Sequence, residues 1–363
     1  MNSYLQALGV AATTDGRRAL RLHLNENTGG CSPAVLQALQ HITIDQVSSY
    51  PDYTPAIAAV AAKFGVPNDW VMLVNGLDEA VSLFASAASH RGTLEPGTSG
   101  TFTAVILDPA FDMYAAAIVH AGGRLSRVAP RANFAWSLDD VLAASADATL
   151  IYLTDPNNPT GIGLPPGAVE ALAEARPEAT IFLDEAYADF SGRSFIPTLR
   201  AGPERFRNVV VGRTFSKAFG LAGLRIGALI APPATLAPIE ALPSPFNVNI
   251  AGAIAVQAAL SDPAWVASTV EEAAASKQAL YEFCDRHSLD YWRSEANFVL
   301  VRVGADADAS RTMMEALAAR DILVRDRSVA PGCLGCIRIT TSLLAHTARC
   351  LRALEDILAS RTN

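Results

Sequence analysis

Lys217 is the only lysine between Lys63 and Lys277, and its neighbours are hydroxyls and glycines. The stretch reads Arg213-Thr-Phe-Ser-Lys-Ala-Phe-Gly-Leu-Ala-Gly-Leu-Arg-Ile-Gly227 and follows the apolar run Val209-Val-Val211. An ammonium in an apolar setting is costly to hold charged, which pushes its pKa down. A lysine that is neutral near pH 7 attacks aldehydes and forms a Schiff base. A lysine on a surface loop has the same local composition, so the chemistry depends on what the fold brings to it.

Other residues offer matching chemistry. Asp184 and Tyr187 end the apolar run Thr180-Ile-Phe-Leu183. A carboxylate there needs a cation, or else it caps a helix. Asn157-Asn-Pro-Thr-Gly161 presents two amides on a turn, with Asn158 directly before the proline. Asn75-Gly-Leu-Asp-Glu79 places the N–H groups of Gly76, Leu77 and Asp78 at a helix start, a ready anion site. Thr214, Ser216 and Arg225 add donors to the same kind of ligand. Phe111, in the loop Pro109-Ala-Phe-Asp-Met-Tyr114, has a flat face for stacking, or is a core side chain; Tyr114 stands behind it. Arg338 carries the planar fork that suits a carboxylate, or lies on the surface.

These residues follow a repeating pattern of elements. Val71–Val74, Thr103–Leu107, Thr149–Leu153, Thr180–Leu183, Val209–Val211 and Arg225–Ile230 read as continuous apolar strands, alternating with helical stretches. That pattern predicts an α/β fold with a mostly parallel sheet covered on both faces. The polar, Pro/Gly-rich segments fall just after the strands, where ligands bind in such sheets. Residues 19–24 alternate as a short strand, and helices are expected from Pro33 and from about residue 54 to Phe64. A long helical region runs from 250 to about His287. A second α/β unit follows: strand 297–303, helix 309–320, strands 322–324 and 336–340, and a last helix near 343–359. The expected division is a large domain over residues 46–269 and a smaller one built from residues 1–45 together with 270–363.

Bulk composition narrows the class. The chain has 363 residues, half of them hydrophobic, with net charge −8 and mean hydropathy +0.23. The length supports a sizeable core and more than one domain. Scattered basic residues argue against a nucleic-acid surface, and no apolar run reaches a membrane span. Met1–Arg21 lacks the pattern of a signal peptide. A soluble, cytoplasmic protein is the expectation. Five cysteines make an odd number for a disulfide framework. Cys333-Leu-Gly-Cys336 has metal or redox spacing but no second pair beside it, so a reduced structural pair is expected. The six histidines form no cluster, and no metal is expected.

The motifs together resemble the fold-type I enzymes that use pyridoxal 5'-phosphate (PLP). The hydroxyl-x-hydroxyl-Lys pattern with Arg225 beyond it, Asn157-Asn-Pro-Thr-Gly161 and Asp184-Glu-Ala-Tyr187 occur in that family's order over roughly residues 24 to 342. The branch most similar is that of the histidinol-phosphate aminotransferases, matched also by Leu24-Asn-Glu-Asn27, Tyr50-Pro-Asp52 and Leu323-Val-Arg-Asp326. The resemblance implies a seven-stranded-type sheet sandwiched by helices, plus a smaller α/β domain. It implies that Lys217 forms the Schiff base, that Asp184 pairs with the pyridine nitrogen, and that Tyr187 and Asn158 reach the phenolic oxygen. Phe111 would stack on the ring, while Gly76, Leu77, Asp78, Thr214, Ser216 and Arg225 hold the phosphate. Tyr50 would reach the phosphate of a neighbouring subunit, making a homodimer, and Asn27, Arg325 and Arg338 would face the substrate. The implied reaction moves an amino group from histidinol phosphate or a related aromatic amine to 2-oxoglutarate.

Departures from the branch concern the substrate. No Pro-Tyr element is found in Met1–Arg21, residues 28–31 read Thr-Gly-Gly-Cys instead of Pro-Tyr-Gly-Pro, and the stacking residue is phenylalanine where tyrosine is more frequent. A decarboxylase of the threonine-phosphate type, an aminotransferase of a specialised pathway and a non-catalytic PLP-binding regulator are the alternatives.

Overall fold

The computed structural model describes residues 19–91 and 101–361; the segment searched for a Pro-Tyr element lies largely outside them. Strand β1 spans Leu20–Arg21. Seven strands then form one sheet: β2 (Val71–Val74), β3 (Thr103–Leu107), β4 (Arg124–Val128), β5 (Leu150–Thr154), β6 (Thr180–Asp184), β7 (Val209–Thr214) and β8 (Gly227–Ile230). Their order is β2-β8-β7-β6-β5-β3-β4. β8 runs antiparallel to β2 and β7, and the other neighbours are parallel.

Why the middle strands read as unbroken apolar runs is visible in their packing. Val209 and Val211 belong to the core on one face of the sheet, whereas Val210 belongs to the core on the other. Side chains alternate along a strand, so a sheet covered on both sides buries every residue. β4 differs: it is an edge strand, Arg-Leu-Ser-Arg-Val, with its residues exposed or half-buried. Its polarity is why no apolar run announces it.

The remaining strands are β9 (Phe298–Arg302), β10 (Ile322–Leu323), β11 (Arg325–Asp326) and β12 (Cys336–Thr340). β11, β12 and β9 form an antiparallel sheet in that order, and β10 pairs in parallel with β1. Leu20 and Leu22 share a core with Val299, Val301, Met313, Ile337 and Leu354. The first described segment is therefore packed with the end of the chain. That allegiance ends sooner than residue 45. The helix Pro33–Gln40, capped by the Ser32 hydroxyl, buries Val35 in the core of the large sheet.

Residues 250 to 287 form two helices, Ile250–Leu260 and Pro263–His287, bent by 82°. Pro263 lacks a backbone donor and Asp262 accepts from Trp265 N, so the break is a new helix start with its own cap. No single helix among the described residues is long and apolar enough to cross a membrane. All five cysteines are free. Cys333 and Cys336 are fully buried beside Leu300, Trp292 and Phe134.

Candidate active site

The carboxyl ends of β5, β6 and β7 open into one cavity of about 700 Å³. β12 and the segment after β1 close it from the other side. Its lining includes Lys217, Asp184, Tyr187, Asn158, Phe111, Leu77, Asp78, Thr214, Ser216, Arg225, Arg325 and Arg338. Residues more than three hundred positions apart in the chain thus meet within one volume.

Lys217 follows β7 directly, which fixes its direction. Its Nζ donates to Leu24 O at 3.0 Å. Burial is the first cause that lowers its pKa to about 8, and the Arg338 charge adds to it. Leu24 lies in a run of carbonyls that are each taken by a different residue. Leu22 O accepts from Thr340 N at 2.9 Å, His23 O from Arg338 Nη2 at 2.7 Å and Asn25 O from Asn297 Nδ2 at 3.2 Å. The segment 22–25 is thereby held as a wall opposite the lysine.

Asp184 ends β6 and is buried. Its Oδ2 accepts from the Tyr114 hydroxyl at 2.6 Å and its Oδ1 from Ala186 N at 2.9 Å. Burial raises its pKa to about 6, against the lowering effect of those two hydrogen bonds. No lysine or arginine among the described residues forms an ion pair with it. Burial raises the Tyr114 pKa well above the usual value, so this phenol stays a donor. Tyr187 is also buried; its hydroxyl accepts from Asn25 Nδ2 at 2.9 Å and from Asn158 Nδ2 at 3.4 Å. Asn158 Oδ1 in turn accepts from Arg338 Nη1 at 2.5 Å. Arg338 is buried, its pKa pushed down to about 10 by desolvation, and its Nε has no partner. A buried guanidinium with an unspent donor is prepared for an anion.

The anion end is built by β7, the turn before β8 and the helix Leu77–Arg91. Arg225 adopts φ +52° and donates to Ala222 O at 3.2 Å and to Asp78 Oδ2 at 2.9 Å. Gly76 sits just outside the cavity lining at φ +73°, and a Cβ there would lie 2.4 Å from Arg225 Nη2. Only glycine fits this close approach without strain. Gly76→Ala should therefore displace the arginine and lower stability by roughly 1–2 kcal/mol, the cost of a left-handed residue with a Cβ. Urea unfolding measures it, and an unchanged midpoint would contradict the close approach.

Two of the singled-out residues stand apart. Asn27, expected to face the substrate, is spent on the fold. Its Nδ2 donates to Ala218 O and Thr269 Oγ1 at 3.4 and 3.2 Å, and its Oδ1 accepts from Gly29 N at 2.9 Å. Asn25, at φ +55°, turns the chain there and takes the place in the cavity. Tyr50 is 79% exposed and stacks on Phe246 at 4.2 Å, away from its own chain's cavity. Arg21, His23, Glu26, Asp112 and Arg327 also line the cavity. Arg327 was legible in principle: it lies two residues from Arg325, the spacing of one strand face. Five arginines and Lys217 face Glu26, Asp78, Asp112 and Asp184 across the lining, so a chain of net charge −8 keeps a positive excess here, which attracts anionic ligands.

The chemistry of this donor set fits PLP. A buried carboxylate lacks a protein cation, a glycine cradle faces an arginine, and a lysine of lowered pKa stands between them. The family profile of aminotransferase class I and II matches residues 17–357. The chain is 38% identical over 349 residues to histidinol-phosphate aminotransferase 2 of Ralstonia nicotianae, covering 95% of this chain and 90% of that protein. It is 34% identical over 348 residues to the histidinol-phosphate aminotransferase of Moorella thermoacetica, covering 94% and 86% respectively. Among solved structures, histidinol-phosphate aminotransferase from Sinorhizobium meliloti in complex with pyridoxal-5'-phosphate superposes with a TM-score of 0.86 at 28% identity, over 98% of this chain and 94% of that one. The chain belongs to the aminotransferase class I and II family, as a PLP-dependent aminotransferase of fold type I similar to the histidinol-phosphate aminotransferases.

Proposed function

We propose that this aminotransferase takes its amino group from histidinol phosphate or a related aromatic amine and delivers it to 2-oxoglutarate. The observation that carries this reading is the excess of cationic side chains in the cavity, which suits a donor and an acceptor that are both anionic. The names of the relatives at 34–38% identity supply the donor class.

PLP, when bound, supplies an electrophilic carbonyl carbon and a ring that draws electrons from the substrate's Cα. The chain's residues then have separate tasks. With a pKa of about 8, roughly one Lys217 in ten is neutral at pH 7, against about one in three thousand for an ordinary lysine. It binds the cofactor carbonyl and afterwards carries the proton at the substrate Cα. Asp184 supplies the negative charge that keeps the pyridine nitrogen protonated. Tyr187 and Asn158 donate to the phenolic oxygen, and Phe111 covers the ring. Leu77 and Asp78 offer backbone N–H at a helix start and, with Thr214, Ser216 and Arg225, would hold the phosphate. Gly76, whose own N–H donates to Val74 O at 2.8 Å, admits the Arg225 guanidinium. Arg338 and Arg325 receive the substrate's anionic groups.

A homodimer completes the proposal. Leu36, Ile44, Val47 and Tyr50 are 57%, 86%, 70% and 79% exposed, apolar side chains from one short stretch of sequence that a second copy would cover. Tyr50 would then reach the neighbour's cofactor phosphate. The large unit carries the seven-stranded sheet, and the small unit joins the first segment to residues beyond about 270. Five unpaired cysteines suit a reducing compartment, hence the cytoplasm, which fractionation of the native cell would check.

The test is a donor panel. Holoenzyme is mixed with 2-oxoglutarate and, in turn, histidinol phosphate, phenylalanine, tyrosine and threonine phosphate, and glutamate and CO₂ are both measured. Glutamate formed fastest with histidinol phosphate or an aromatic donor is expected. Glutamate formed fastest with threonine phosphate, or CO₂ in place of glutamate, would overturn the reading, as would a monomer by light scattering for the dimer.

A further inference from the structure

Arg327 is 5% exposed and belongs to none of the motifs that carry the cofactor site. Its backbone N–H donates to Cys336 O at 2.9 Å, which ties it to β12. From there its side chain crosses to the loop after β3. Nη1 donates to Asp112 Oδ2 at 3.1 Å, and Nη2 reaches Asp112 Oδ1 and Ala110 O, each at 3.4 Å. Ala110 and Asp112 are the two residues that flank Phe111.

The rest of that loop is tied from the large sheet. Asn157 Nδ2 donates to Pro109 O at 3.1 Å. The Phe111 ring meets Tyr114 edge-on at 5.6 Å, and Tyr114 is held by Asp184. Phe111 is the extended residue before the helix Asp112–His120, with φ −68° and ψ 126°, so its ring direction follows the backbone on either side. Arg327 holds the backbone before the ring, at Ala110 O, and the Asp112 carboxylate after it. Its terminal nitrogens are thereby spent on the loop. A substrate anion would have to compete with a carboxylate and a carbonyl for them.

We propose that Arg327 is a positioning residue that sets the height of the Phe111 ring over the cofactor, linking the substrate-facing strands to the cofactor's stacking face. This rests on the reading of Phe111 as the residue that covers the ring. Arg325 and Arg327 share Asp112, at 3.9 and 3.1 Å, so the same carboxylate connects the loop to both arginines.

The experiment compares Phe111→Leu, Arg327→Met, Arg327→Lys and Asp112→Ala as holoenzymes. Cofactor dissociation is followed by transfer to an unrelated apo-enzyme, alongside KM and kcat for donor and acceptor and the melting temperature. Phe111→Leu should speed dissociation about three- to tenfold, the usual worth of one aromatic stack. Arg327→Met and Asp112→Ala should speed it in the same direction, R327K should restore part of the loss, and the double variant with Phe111→Leu should add little, because both act on one ring. Faster release from F111L with wild-type release from R327M and D112A overturns the proposal and leaves the stacking reading intact. Wild-type release from F111L overturns the stacking reading itself. A KM raised more than tenfold in R327M with unchanged cofactor release makes Arg327 a substrate ligand instead. Asp112→Ala removes the same bridge from the exposed end, so the result stands even where R327M does not fold.

Discussion

Lys217→Ala should abolish covalent attachment of the cofactor and lower transamination by at least about 10⁴-fold, since one side chain supplies both the nucleophile and the proton carrier. Borohydride treatment followed by mass spectrometry reads the attachment: the wild type keeps the added cofactor mass and the variant does not. The fold should be undamaged. Lys217 has a folded pKa of about 8 against an ordinary 10.5, so the unfolded chain binds its proton more strongly. In cofactor-free wild type this group therefore opposes folding below pH 8, and the opposition fades as pH rises from 8 to 10.5. The alanine variant should lack that rise. A variant that retains covalent cofactor, or one that melts well below the wild type at pH 7, contradicts this account.

Asp184→Asn should separate activity from stability in opposite directions. Loss of the charge opposite the ring nitrogen should reduce kcat about 10²–10³-fold, the usual cost of removing one preorganised electrostatic partner. The cofactor-free variant should nevertheless be more stable than cofactor-free wild type at pH 7 to 8. Asp184 has a folded pKa of about 6 against 3.8, so the folded state holds the proton more strongly. The wild type loses stability from this group as pH rises from about 4 to 6, and above 6 the full penalty of about 3 kcal/mol applies. Asparagine has no such penalty. Its oxygen accepts from Ala186 N, its amide faces the Tyr114 oxygen, and Tyr114 turns its proton to Thr154 Oγ1, 2.8 Å away. Urea unfolding of both cofactor-free proteins at pH 5 and 8 gives the comparison. An asparagine variant that keeps more than half of kcat, or that loses stability at pH 8, defeats the assignment.

What could be read beforehand follows from local chemistry. The buried strands were legible because a sheet covered on both faces leaves continuous apolar runs, as in β6 and β7, and the cavity residues fall at their ends. β4 was not, because an edge strand exposes polar side chains. The break at Asp262 lay inside an alanine-rich stretch whose composition suits one helix as well as two. Asn27 and Asn25 share a motif, and only the left-handed turn at Asn25 decides which of them enters the cavity. Arg327 had the right spacing from Arg325, but its targets, Ala110 O and Asp112, lie more than two hundred positions away and leave no local trace. Burial of Val35 against the large core likewise depends on the helix 250–260, which moved the expected division at residue 45.

The wall opposite Lys217 has a consequence for the newly made chain. β1 pairs with β10 at Leu20↔Ile322, and Asn25 N donates to the Thr340 hydroxyl. Lys217, Thr214 and Arg225 belong to one continuous stretch and can be arranged soon after synthesis. Leu24 O cannot take its place until residue 340 has left the ribosome. At about 5–20 residues per second, Lys217 precedes residue 340 by on the order of ten seconds. During that interval the lysine faces solvent in place of a closed cavity, and its proton is held as firmly as on any free amine. Nascent chains halted before residue 320 should therefore remain cofactor-free.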